Sequence, residues 1–307
     1  MNAPATDRVL KGLALRLFAI LCLATMSALV KLVEARGAAL PETMFFRQLC
    51  ALPLVLGWLA LGQGVGAVRT QRIGAHLLRT GVGLLGMVAT FGALILLPLA
   101  EATTLSFTVP IFATILGALV LKEPTGWPRW TAVLVGFGGV LIVAQPGSGH
   151  FPLVGALVGL TSAFLIAVIS ILLRQIGRTE SAGTTVFWFS LLSLPPLGIV
   201  YLFFAQPHDS LTWTILVAIG LIGGTGQLAL TGALRYAPVS AAVPMDYSSL
   251  LWATLYGWLF FGVWPTSYTW IGAPIIIGSG LTIAWREHRR QRLASRSAAS
   301  VTQRAEL

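Results

Sequence analysis

The chain has 307 residues, of which 56% are hydrophobic and 10% charged, with a formal net charge of +10. Soluble proteins carry about a quarter charged residues, so a soluble globular domain is excluded. The basic excess, which could otherwise point to nucleic acid, borders long apolar runs; it reads as facing anionic lipid headgroups, and no nucleic-acid partner is expected.

Ten apolar runs approach the ~20 residues that carry a helix across a bilayer core. They show neither an amphipathic stripe nor the alternation of a barrel strand. The first, 12–33, follows Arg8 and Lys11. It is too long for a signal peptide, lacks a small-x-small cleavage site before Lys31, and is expected to be retained. Lys31 and Glu34 lie at its end. The second, 43–62, opens with Arg47. The third, 77–98, contains Gly81, Gly83 and Gly86 in the spacing of a dinucleotide fingerprint. That fingerprint needs a preceding strand, so no nucleotide role is read from it. The fourth, 101–121, opens with Glu101, and the fifth and sixth cover 129–145 and 152–173. The seventh covers 183–204, and the eighth, 212–234, carries Gln227 after a glycine cluster from Gly220 to Gly226. That cluster, like Gly136, Gly138 and Gly139, lets helices approach closely; Gly223-Gly224-Thr225-Gly226 could also loosen the eighth span. The ninth, 239–261, contains Asp246 after Pro244, and the tenth, 267–285, precedes a basic tail, 286–307. Cys22 and Cys50 lie in apolar runs and read as small hydrophobes rather than a disulfide. The scattered His76, His150, His208 and His288 form no metal pattern; neither metal nor cofactor is expected.

The chain also repeats itself. Residues 92–144 lie on 232–284 at a shift of 140 without a gap. Gly92-Ala93-Leu94 meets Gly232-Ala233-Leu234, Ala113-Thr114 meets Ala253-Thr254, and Trp130 meets Trp270. Earlier segments match at slightly larger shifts: Ala24 meets Ala167, and Phe45 and Pro53 meet Phe187 and Pro195. Lys and Arg concentrate on the side of the amino terminus and in the carboxyl tail, while the other side receives only Lys31, Arg36 and Arg47. This positive-inside bias places both termini in the cytoplasm. An odd number of spans per half then inverts the second copy, which is the plan of many secondary transporters. The expected organisation is an all-α integral membrane protein of about ten transmembrane helices: two inverted-topology five-helix repeats, 12–145 and 152–285, and a cytoplasmic tail.

The repeated stretches "PIFATILGALVLKEP" with "WTAVLVGFGGVLIV", and "PMDYSSLLWATLYGWLFFG" with "WIGAPIIIGSGLTIAW", resemble the drug/metabolite transporter superfamily, EamA type. Arg47 in "ETMFFRQLCALPL" resembles an arginine of that family's second helix, and Lys31 its early basic residue. Lys122-Glu123-Pro124 has no acidic counterpart at Gly262-Val263-Trp264-Pro265. The resemblance implies a ten-helix secondary carrier of small organic solutes in the inner membrane, among them amino acids, nucleobases or vitamins such as riboflavin.

Ionisable groups inside spans point to the site, since each costs ~2.5–3.5 kcal/mol at a helix centre on insertion scales. Asp246 is the foremost, and Gln227 is expected at similar depth across the turn near Ala237-Pro238. The face Asp246, Ser249, Leu250, Ala253, Thr254 and Gly257 follows helical spacing; its counterpart begins at Ser106. Asp246, Gln227, Tyr247, Ser249, Trp252 and Ser106 are the substrate-binding or coupling candidates. Asp246 could instead be structural, capping backbone near Pro244. Arg47, Lys31, Glu34 and Glu101 could form an outer gate of ion pairs or be interfacial charges with snorkelling stems. Two carrier readings stand: an exporter of amino acids or related metabolites, and an importer of a vitamin or nucleobase. A membrane-embedded enzyme would need clustered His, Asp, Glu or Ser, which the chain lacks, so it is not expected to be an enzyme; a non-transporting subunit is the other class. The partners expected are a small-molecule substrate and lipid, with the protein a monomer or homodimer.

Overall fold

The computed structural model describes residues 5–62, 64–120, 126–145, 152–177, 179–233, 236 and 245–305. Lys122-Glu123-Pro124, Arg178, Arg235, the turn near Ala237-Pro238 and Pro244 lie outside the described residues. So do the side chains of Arg8, Arg129 and the tail from Arg290 onward.

Lipid offers no hydrogen bonds to a backbone, so an apolar chain must satisfy its amides within each segment. The described residues accordingly form helices and no strand. In chain order these are α1 (Ala5–Ala35), α2 (Leu40–Gly62), α3 (Ile73–Leu96), α4 (Leu99–Ser106) and α5 (Val109–Leu119). They continue with α6 (Trp127–Ala144), α7 (Leu153–Ile176), α8 (Ala182–Phe204), α9 (Ser210–Ala233), α10 (Ser249–Phe261) and α11 (Ser267–Ala305). Eight helical stretches are long and apolar enough to cross a membrane, counting 99–119 as one, and 130–144 and 249–261 are shorter apolar helices. Large apolar side chains such as Leu85, Leu141 and Phe203 stand exposed on the outside, as a lipid-facing surface requires.

Two expected spans are broken rather than continuous. The fourth breaks at Phe107-Thr108, between α4 and α5. The ninth is helical at 245–246, turns at Tyr247-Ser248, and resumes as α10. The shift of 140 that aligns the repeats carries one break onto the other. Hydroxyls hold both turns: Thr108 Oγ1 donates to the Leu105 carbonyl, and Ser249 Oγ to the Asp246 carbonyl, each at 2.7 Å. By contrast, α9 runs unbroken through Gly223-Gly224-Thr225-Gly226. Helical hydrogen bonding there outweighs the flexibility that the glycines permit. The final helix, α11, continues past the tenth span through the basic tail to Ala305.

The helices pair in a pattern that maps onto itself when the halves are exchanged. α1 packs on α9, and α7 on α3; α5 packs on α7, and α10 on α1; α2 packs on α8, and α6 on α11. Small residues set these approaches. Between α6 and α11, a Cβ on Gly139 would lie 3.1 Å from the Gly272 carbonyl, and one on Gly272 would lie 2.7 Å from the Gly139 carbonyl. Ser279 Oγ donates to the Ala132 carbonyl at 2.6 Å. Gly226 faces Cys22, and Gly220 faces Cys50, so both cysteines are free thiols fitted against α9. Gly138, expected at such a contact, faces open space.

Candidate functional site

Where α4 and α5 meet the turn before α10, the bundle encloses a cavity of about 590 Å³. Small-molecule sites span about 300–1,000 Å³. Its wall draws on α1 (Arg16, Ala24, Ser27), α4 (Thr103, Ser106), α7 (Ile166, Ser170), and Asp246, Tyr247 and Ser249. Phe107 and Tyr247 meet edge to face at its wall, with ring centroids 4.9 Å apart. The surface is thus largely apolar, with a few hydroxyls and one charged pair.

That pair is Arg16 with Asp246. Arg16 Nε donates to Asp246 Oδ1 at 2.7 Å, and Arg16 Nη2 to Oδ2 at 2.5 Å. The arginine side chain is 12% exposed and the carboxylate 37%, so the carboxylate looks into the cavity while the guanidinium is sheltered. Two parallel contacts give such a pair direction as well as strength. Ser249 Oγ and Ser106 Oγ line the same cavity but donate to the carbonyls of Asp246 and Thr103. Their oxygens remain able to accept.

Not every candidate reaches this cavity. Gln227 lines a second one, of about 260 Å³, with Arg47, Gln48 and Arg79. Its expected depth was measured along α9; the side chain's direction around the helix decided which cavity it faces. Trp252 stacks beside Tyr256 and is not in the wall.

The four outer charges form no ion pair with one another within 4 Å, although Lys31 lies within Coulombic reach of both Glu34 and Glu101. Lys31 Nζ donates to the carbonyls of Leu94, Ile95 and Leu97 at 2.8, 3.2 and 2.8 Å. A cation there answers the unpaired carbonyls and the negative end of α3. Glu101 Oε1 accepts from Thr266 N at 3.2 Å and Thr269 Oγ1 at 3.0 Å. It therefore caps the start of α11. Glu34 forms no ion pair among the described residues. Arg47 turns inward to the smaller cavity.

Sequence reasoning missed several polar contacts. Arg16 lies within the first apolar run, and a charge in that position was the available signal. Glu42 is buried and accepts from Ala39 N at 2.7 Å, Gln206 N at 3.1 Å and His208 Nε2 at 3.1 Å. His76 Nε2 lies 2.5 Å from Glu180, which also accepts from Thr70. These two acid–histidine pairs join the start of α2 to the α8–α9 loop, and the start of α8 to the α2–α3 region. Nothing in local sequence joins partners more than a hundred positions apart.

The model of a family described as the EamA-like transporter family matches residues 10–145 and again 153–285. A riboflavin transporter of Rhizobium johnstonii is 32% identical over 286 residues, covering 92% of this chain and 91% of that protein. A riboflavin transporter of Vibrio cholerae is 32% identical over 228 residues, covering 74% and 76%. A pseudopaline exporter of Pseudomonas aeruginosa is 30% identical over 264 residues, covering 85% and 92%. A crystal structure of a protein at 21% identity superposes with a TM-score of 0.59, covering 92% of this chain and 98% of its own; it shares the fold.

Proposed function

The chain belongs to the EamA-like transporter family, and on that premise we propose that it is a secondary carrier of a small polar metabolite across the inner membrane. Transport proceeds by alternating access between two inverted five-helix halves, ten crossings in all, with both termini in the cytoplasm. The exchange-symmetric helix pairing and the two matched breaks support the inverted arrangement. The Lys and Arg distribution supports the orientation.

The observation that carries the reading is the Arg16–Asp246 pair in the wall of the larger cavity. It ties α1 of the first half to the turn before α10 of the second. A contact of this kind must break when the halves rock apart, and it offers a polar substrate both a donor fork and a carboxylate. Substrate that engages Asp246 weakens the tie and favours the opening that releases it; the coupling equals the substrate's differential affinity for the two states.

Riboflavin is the first solute to assay, because three relatives carry that name. Pseudopaline comes second, since pseudopaline exporter is the name of another relative. Proteoliposomes are loaded and assayed with riboflavin, pseudopaline, amino acids and nucleosides. Saturable flux of one class that falls in Asp246→Asn supports the reading. Inserted, folded protein that moves none of them would return the chain to the class of non-transporting membrane subunits.

A further inference from the structure

The smaller cavity lies among α1, α2, α3, α7, α8 and α9, and two arginines face it from different helices: Arg47 on α2 and Arg79 on α3. Arg47 Nη1 reaches only Gln48 Oε1 at 3.2 Å and the Met87 sulfur at 3.5 Å, and its Nε has no partner. Arg79 lies over the Phe189 ring, 3.7 Å from its centroid, with Nε and Nη1 both unpartnered. Gln48 Nε2 is buried and unpartnered as well. Every one of these unanswered atoms is an N–H donor. Glycines clear the space around them: a Cβ on Gly83 would lie 3.1 Å from Arg79 Nη1, and one on Gly223 would lie 3.9 Å from Arg47 Nε.

No acidic side chain lines this cavity among the described residues. The acids whose side chains are described are engaged elsewhere or distant: Asp246 with Arg16, Glu180 with His76, Glu42 with His208, Asp209 with Arg36, Glu101 at the start of α11, and Glu34 at the end of α1. Two like charges sheltered within a membrane bundle repel each other and are costly without an anion. Planar guanidinium groups match carboxylate and phosphate oxygens in two-point contact.

We propose that this cavity binds an anion, and that Arg47 and Arg79 receive a carboxylate or phosphate group there. The Gln48 amide supplies a further donor, and the Phe189 face holds the Arg79 plane in place. The ion pair at Arg16 belongs to the other cavity, so the anion site is a second, positively charged compartment. Ile166 borders both. Its place in transport rests on the carrier reading, but binding itself is measured without flux, so either can fail alone.

The test uses the full chain in phosphatidylcholine nanodiscs, with thermal unfolding and calorimetric titration. The probes are inorganic phosphate and succinate, with chloride at matched ionic strength as reference. A third arm adds phosphatidylglycerol and no soluble probe. Phosphate or succinate is expected to raise the native Tm beyond chloride, with Kd weakened at least about tenfold in Arg47→Gln and in Arg79→Gln. Because each substitution removes a sheltered charge, the ligand-free variants are expected to be no less stable than native protein. Stabilisation by phosphatidylglycerol alone, lost in both variants, would assign the phosphate to a lipid headgroup. Native protein with no anion-specific shift in any arm overturns the site, whatever the variants do. An undiminished shift in both variants overturns it too.

Discussion

Phe107 and Tyr247 stand 140 positions apart, occupy the same place in the two repeats, and touch each other, ring centroid to ring centroid at 4.9 Å. A contact between equivalent residues is what a two-fold axis produces, and in the proposed architecture it puts the axis at the two helix breaks. The α6–α11 seam repeats the logic: Gly139 with Gly272 corresponds to Ser279 with Ala132.

The Tyr247 hydroxyl is buried without a partner, and a Cβ on Gly280 would lie 2.4 Å from it. An unanswered buried hydroxyl costs about 1–3 kcal/mol. Tyr247→Phe is therefore expected to keep or raise the Tm, whereas Tyr247→Ala opens the ring's space and lowers stability by about 3 kcal/mol or more. A Tyr247→Phe variant that unfolds markedly earlier would show that the hydroxyl has a native partner.

Removing Asp246 leaves the sheltered Arg16 guanidinium without its counterion; with the carboxylate 37% exposed, the loss stays below the ~3–5 kcal/mol of a fully buried pair. Asp246→Asn and Arg16→Gln are each expected to cut flux by about tenfold or more. The exchange Arg16→Asp with Asp246→Arg keeps the pair and is expected to recover insertion and part of the flux. Normal transport in Asp246→Asn would make the residue a structural group beside its turn.

Lys31→Met removes the donor from three carbonyls at the end of α3. Stability is expected to fall by about 1–3 kcal/mol, read as Tm in detergent, with substrate affinity unchanged. A variant with native Tm and impaired substrate binding would instead make Lys31 part of the transport path.

Gly272→Ala forces a methyl against the Gly139 carbonyl, a backbone atom of α6 that cannot rotate away. The two helices must separate, at about 1–3 kcal/mol. Gly138→Ala, whose Cβ would meet nothing within 4 Å, is the control and should leave Tm unchanged. Equal effects of the two would contradict the helix-contact account.

For orientation, a reporter active only in the periplasm, fused after Leu307, is expected to stay silent. Activity there would invert the proposed topology and every assignment of faces.

The class of the protein was legible in its sequence because run length and apolarity are local quantities, and lipid reads them locally. The repeat was legible because it is a comparison of the chain with itself. Helical spacing could place Ser249 and Ala253 on one face, but Asp246 reaches the same cavity from across the turn at Tyr247-Ser248. The partners of that face were not legible. Arg16 meets Asp246 across 230 positions, and what joins them is the rotation of α1 about its own axis against α9 and α10. The rotations of α9 and α2 about their own axes turn Gln227 and Arg47 away from Asp246 and into the arginine-lined compartment. Lys31 and Glu101, which sequence could pair by charge, settled on helix ends instead. Unpaired carbonyls and amides at those ends needed charges close at hand, and only the packed bundle decided which charges those were.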